Sequence, residues 1–73
     1  MINLDYIKEL RQANKVKTRK LATVIGVKTA SCYSKKENGY LRFSIEQLKS
    51  LADFYSLSLE TLFVMEGGLN DDK

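Results

Sequence analysis

The residues best suited to grip another molecule lie together between Gly26 and Arg42. Thr29, Ala30, Ser31 and Ser34 are small, and Lys35 and Lys36 come directly after them. Hydroxyls and ammonium groups of this kind hydrogen-bond and pair with anions. Covalent chemistry has few candidates, because the chain has no histidine, one cysteine, no clear nucleophile–base pair and no glycine-rich phosphate cradle. No catalytic residue is assigned, and the chain reads as not an enzyme. A lone thiol without imidazoles cannot hold zinc in the usual way, so no metal and no cofactor is expected. Cys32 reads as a small filler, buried or half-buried.

Charge is distributed unevenly. Residues 1–42 hold ten Lys/Arg against three acids, for +7, while residues 43–73 hold two Lys against six acids, for −4. That polarity suggests one face meant for a polyanion and an opposite end kept away from it. Seventy-three residues make one domain at most. The start lacks the pattern of a signal peptide and no apolar run is long enough for a membrane span, so a cytoplasmic protein with no membrane partner is expected. No small-molecule ligand is evident.

The elements that must position these residues are helical. There is no proline, and Leu and Ile recur at helical spacing. The expected architecture is all-α, with five short helices in a domain at 1–66 and a disordered tail at 67–73. The first helix is capped by Asn3, with Ile2 and Ile7 in staple positions and Ile7, Leu10 and Ala13 or Asn14 facing inward. The second runs over about 18–25, capped by Thr18 or starting one residue earlier at Lys17, and stops at Gly26. The third has Thr29 as cap and covers two turns to Glu37, with Asn38-Gly39 as its stop. The fourth opens on a capping box, Ser44 with Gln47, stapled by Phe43 and Leu48, and buries Ile45, Leu48, Leu51 and Ala52. A last helix follows Ser58.

The third helix is the odd one, offering the core little beyond Tyr33 and Cys32. Two short helices joined at a glycine, the second polar and basic, have the layout of a helix-turn-helix. Ala22 lets the pair approach, Gly26 permits the sharp turn, and short side chains let the third helix enter a DNA major groove. Flanking lysines would reach phosphates.

LRQANKVKTRKLATVIGV at 10–27, KKENG at 35–39 and SIEQLKSLADFYSLSLETLF at 44–63 together resemble the Cro and phage-repressor-type (XRE) helix-turn-helix family. The resemblance implies a lambda-repressor-like domain that regulates transcription, usually as a repressor, bound as a homodimer to an inverted-repeat operator in double-stranded DNA. The chain departs from the family in having Lys17-Thr18 where Thr-Gln is usual, and Lys36 where Trp is usual. It also carries one extra residue between Gly26 and Glu37.

The extra residue leaves two registers. Aligning from Gly26 buries Cys32 and turns Thr29, Ala30, Tyr33 and Ser34 toward the bases. Aligning back from Glu37 buries Tyr33 and turns Ala30, Ser31, Ser34 and Lys35 toward them; this register is preferred, since Tyr33 fills the anchoring position better. Phosphate contacts are expected from Lys17, Thr18, Arg19, Thr29, Lys36, Asn38, Tyr40 and Arg42. Leu57, Leu59, Phe63, Val64 and Met65 form the expected dimer interface. The alternative function is a protein-interaction module on the same fold, an antitoxin or antirepressor.

Overall fold

A computed structural model of the chain describes residues 1–64. Met65 and the expected tail at 67–73 lie outside the described residues. Four α-helices follow one another: α1 (Leu4–Ala13), α2 (Thr18–Ile25), α3 (Ala30–Glu37) and α4 (Ile45–Phe54). The expected fifth helix is a single 3-10 turn, Leu59–Leu62. Its sequence has no room for a nucleus, and Ser58 caps no amide: its hydroxyl pairs with that of Thr61 at 2.9 Å.

The helix starts follow from local chemistry. Asn3 Oδ1 accepts the Tyr6 amide at 3.1 Å, and Asp5 in the first turn carries the sign the helix dipole favours. Thr29 Oγ1 accepts the Cys32 amide at 3.0 Å, and Ser44 and Gln47 bond reciprocally at 3.0 Å in a complete capping box. Only α2 lacks a side-chain cap. The residue before its first turn is Lys17, not Thr18, and a lysine has no acceptor to offer.

All four α-helices end alike. A residue in the left-handed region closes each one, and the next amide reaches back five residues: Val16 to Arg11, Val27 to Ala22, Tyr40 to Lys35 and Leu57 to Ala52, at 2.8–3.0 Å. Glycine fills the left-handed position at Gly26 (φ 83°) and Gly39 (φ 89°); Lys15 (φ 56°) and Ser56 (φ 59°) fill it at the other two.

The core is Ile7, Leu21, Ala22, Ile25, Tyr33, Phe43, Leu48, Leu51, Ala52 and Leu62. α2 packs against both α3 and α4, α4 against the 3-10 turn, and α1 against α3 and that turn. Antiparallel pairing of Ile2 with Phe63 ties the first residues to the last described ones, supported by Asn3 N–H to Leu62 O at 2.8 Å and Val64 N–H to Met1 O at 2.7 Å.

Two expectations about the core need correction. Ile45 is 55% exposed instead of buried. Helical periodicity places it on the stripe of Ala52, but a stripe is buried only as far as a neighbouring element covers it, and Ile45 opens the helix. Neither Ala13 nor Asn14 faces inward; both are exposed. The inward face of α1 ends at half-buried Leu10, and the half-buried residue beside it is Arg11.

Candidate nucleic-acid interface

α2 and α3 meet at a glycine turn. Ala22, 4% exposed, is small enough for close helix approach, and Gly26 takes the left-handed conformation that redirects the chain into Val27-Lys28-Thr29 and α3. Tyr33 is fully buried, its ring edge-on to Phe43 with centroids 6.0 Å apart. In the folded domain it cannot touch a base, which selects the register with Tyr33 inward. Cys32 is half-buried.

Four residues that this register turns outward form two adjacent rows along α3. Ser31 and Lys35, one helical turn apart, are exposed; Ala30 and Ser34, also one turn apart, are half-buried. They make a continuous strip of small side chains ending in one ammonium group.

The expected phosphate-binding residues divide into three groups. Lys17 and Arg19 are exposed and Thr18 is half-buried at the uncapped start of α2, where first-turn amides and the helix dipole favour an anion. Tyr40, 80% exposed, and Arg42 stand out from the loop after α3. The rest have structural work. Thr29 is exposed but its hydroxyl caps α3. Lys36 donates from Nζ to the Arg42 carbonyl at 2.7 Å, pinning the loop to the helix. Asn38 donates from Nδ2 to Ser34 O at 2.9 Å while its Oδ1 accepts from Lys8 at 3.0 Å.

Lys36 does contribute to anchoring, although not as an aromatic would. The family's Trp would fill space there; the lysine side chain is half-buried and spends its head group on a carbonyl.

The most important contact at the site was not expected. Glu37, 3% exposed at the last turn of α3, accepts Arg11 Nε at 3.0 and 3.2 Å, Arg11 Nη2 at 3.1 Å and Tyr33 Oη at 2.8 Å. This is a forked, charge-assisted pair that locks α3 to α1. Its signal in the sequence was faint. Glu37 lies four residues after the tyrosine chosen for burial, which puts an acid on the inward stripe and calls for a cation. Burial, and then the hydrogen bond and charge of Glu37, push the Tyr33 hydroxyl well above the ordinary range for tyrosine. The bond to Glu37 likewise raises Arg11, against the opposing effect of its partial burial. Burial also raises Tyr55, helped by the charge of Glu37. Tyr55 Oη is buried and has no hydrogen-bond partner among the described residues.

Among the described residues no group of His, Cys, Asp or Glu could hold a metal ion, and no helix is long and apolar enough to cross a membrane.

A short helix α2, a glycine turn and a polar helix α3 set into a small all-helical core define a helix-turn-helix domain of the lambda-repressor-like kind, a DNA-binding architecture. The family model described as "Helix-turn-helix" matches residues 7–62, and the chain belongs to that family, of the Cro and phage-repressor (XRE) type. It is a family of DNA-binding regulatory domains and not of enzymes. No curated protein and no solved structure matches the chain.

Proposed function

We propose that this domain is a sequence-specific binder of double-stranded DNA that represses transcription, of the phage or mobile-element type, with α3 lying in the major groove. The observation that carries the reading is the α3 strip. Ala30, Ser31, Ser34 and Lys35 are small or extended enough to reach base edges on a helix held rigid by the Arg11–Glu37 pair. Lys35 suits guanine, and the Ala30 methyl suits the thymine methyl. Lys17, Thr18 and Arg19 at the start of α2, with Tyr40 and Arg42 after α3, take the phosphates on either side. Thr29, Lys36 and Asn38 serve in positioning first, since their polar atoms already have partners.

The domain acts as a homodimer on an inverted repeat, in the cytoplasm. Leu57, Leu59, Phe63 and Val64, all half-buried, supply the interface together with Met65, and the exposed Ile45 joins them.

Selection from a random duplex library tests this directly. The expected result is an inverted repeat with half-site centres about 34 Å apart, one helical turn. The Ser34→Ala/Lys35→Ala variant should keep its helical circular dichroism and lose the sequence preference. Unchanged preference in that variant would put the reading face elsewhere. Failure of a folded sample to enrich any sequence would overturn DNA recognition itself.

A further inference from the structure

Phe54, the last residue of α4, is 37% exposed although its ring packs edge-on against Tyr55 with centroids 5.1 Å apart. Together with Val16 it floors an open cleft of about 620 Å³ between the end of α4 and the start of α2. Four cations stand around that floor, Lys15, Lys17, Arg19 and Lys20, all exposed, and among the described residues no acid lines the cleft. Among the described residues none of the four has a salt bridge or a side-chain hydrogen bond; the ion pair found there is Arg11–Glu37. Val16 and Phe54 also line a second cleft, which adds Leu10 and Leu57 to the apolar surface.

Phosphate would satisfy the cations but gains nothing from an aromatic ring and a valine. Lipid or small apolar ligands would use the floor and leave four like charges crowded together. A polypeptide segment with an aliphatic or aromatic anchor flanked by carboxylates satisfies both features at once, with the anchor on Phe54 and Val16 and the acids on the lysine rim. Because Phe54 is braced by Tyr55, its ring is ordered before a partner arrives, which lowers the cost of binding.

We propose that this cleft is the docking site for an acidic, amphipathic segment of a partner protein. Lys17 and Arg19 are also proposed phosphate contacts, so the segment would displace the domain from DNA. That last step rests on the DNA-binding reading; the docking does not.

The test uses a synthetic peptide with a Leu-Phe pair flanked on both sides by Asp and Glu, titrated into the isotope-labelled chain and followed by NMR. Saturable shifts centred on Val16, Lys20 and Phe54 are expected. Replacing Leu-Phe by Ser-Ser in the peptide should weaken binding about tenfold, as should Phe54→Ser in the protein. Lys17→Gln/Lys20→Gln should weaken it further at low salt, and since all three positions are exposed these variants should stay folded. Equal binding of the Ser-Ser peptide would reduce the site to general charge attraction and overturn the proposal. So would shifts at Val16 and Phe54 that depend only on protein concentration, which would make a second copy the occupant. Shifts there on truncating the chain after Met65, with no peptide added, would make its own acidic residues Glu66, Asp71 and Asp72 the occupant and overturn a partner equally. Where the chain binds an operator, the peptide should raise the apparent Kd for it. A chain that binds the peptide but no DNA would overturn the regulatory step and the proposed function, and leave the docking site standing.

Discussion

Glu37 shows how much a single buried acid can organise. It stands in the basic half of the chain, accepts Nε and Nη2 along one edge of the Arg11 guanidinium and also takes the Tyr33 hydroxyl, so removing it strands two donors at once. Glu37→Leu should lower stability by about 2–3 kcal/mol, somewhat below the cost of breaking a wholly buried pair because Arg11 keeps contact with water. The Arg11→Met/Glu37→Leu double variant should recover most of that loss, and its urea midpoint with those of the Arg11→Met and Glu37→Leu single variants forms the cycle that measures the coupling. Alkali acts on the same cluster. Tyr33 and Tyr55 both hold their protons to higher pH in the folded chain than the ordinary value of about 10. Their contribution is therefore complete below pH about 10 and is lost as pH rises beyond it, where the unfolded chain ionises first. Tyr55→Phe should flatten that alkaline decline. It should also be neutral or stabilising by up to about 1 kcal/mol at pH 7, since the buried hydroxyl it removes has no partner among the described residues. A clear loss of stability in Tyr55→Phe would mean that the hydroxyl has a partner after all.

Helix ends account for much of this small domain's order. Of the four left-handed closures, two use glycine and two force a residue with a Cβ into a conformation that costs about 1 kcal/mol or more. Lys15→Gly should therefore raise the thermal midpoint, by an amount equivalent to about 0.5–1 kcal/mol once the added freedom of the unfolded chain is subtracted. Gly26→Ala should do the reverse. Space is not the obstacle at Gly26, where a Cβ would meet nothing within 4 Å; the backbone conformation is. These ends were largely legible beforehand. Asn3, Thr29, Ser44 with Gln47, Gly26 and Gly39 announce their roles because capping is decided within four or five residues. Lys15 and Ser56 did not, because neither has the side chain that marks the position. The last helix expected after Ser58 is a short 3-10 turn, Leu59–Leu62, for a related reason: its apolar residues have helical spacing, but its cap serine bonds to another side chain.

At the scale of the whole molecule, the proposed DNA contacts all fall in the basic half of the chain. If Lys17, Arg19, Lys35 and Arg42 each meet a phosphate or base on DNA, the logarithm of the binding constant should fall steeply with the logarithm of salt, with a slope near −0.9 per phosphate neutralised. Replacing Arg42 by Gln should reduce that slope by about one unit in each half-site without changing the preferred sequence. Equilibrium titrations at several salt concentrations would decide it, and an unchanged slope would remove Arg42 from the interface. The proposed dimer belongs to this scale as well. Ile45 leaves apolar surface uncovered, and Ile45→Lys should weaken binding to a full inverted repeat while leaving affinity for a single half-site intact.

Sequence alone determined whatever depends on near neighbours: the helix-turn-helix, the caps of α1, α3 and α4, and the small Ala30 and Ser34 common to both registers of α3. The family followed from the order and spacing of those same pieces. The burial of Tyr33 then chose between those registers. Tertiary structure alone decided the partner of Glu37, which lies 26 residues away in the chain, and the exposure of Ile45. It also decided that Lys8 of α1 reaches Asn38 at the end of α3. The physical reason is common to all of these. A capping bond is chosen by residues that are close in sequence whatever the rest of the chain does, whereas burial and ion pairing exist only once distant segments have been brought together.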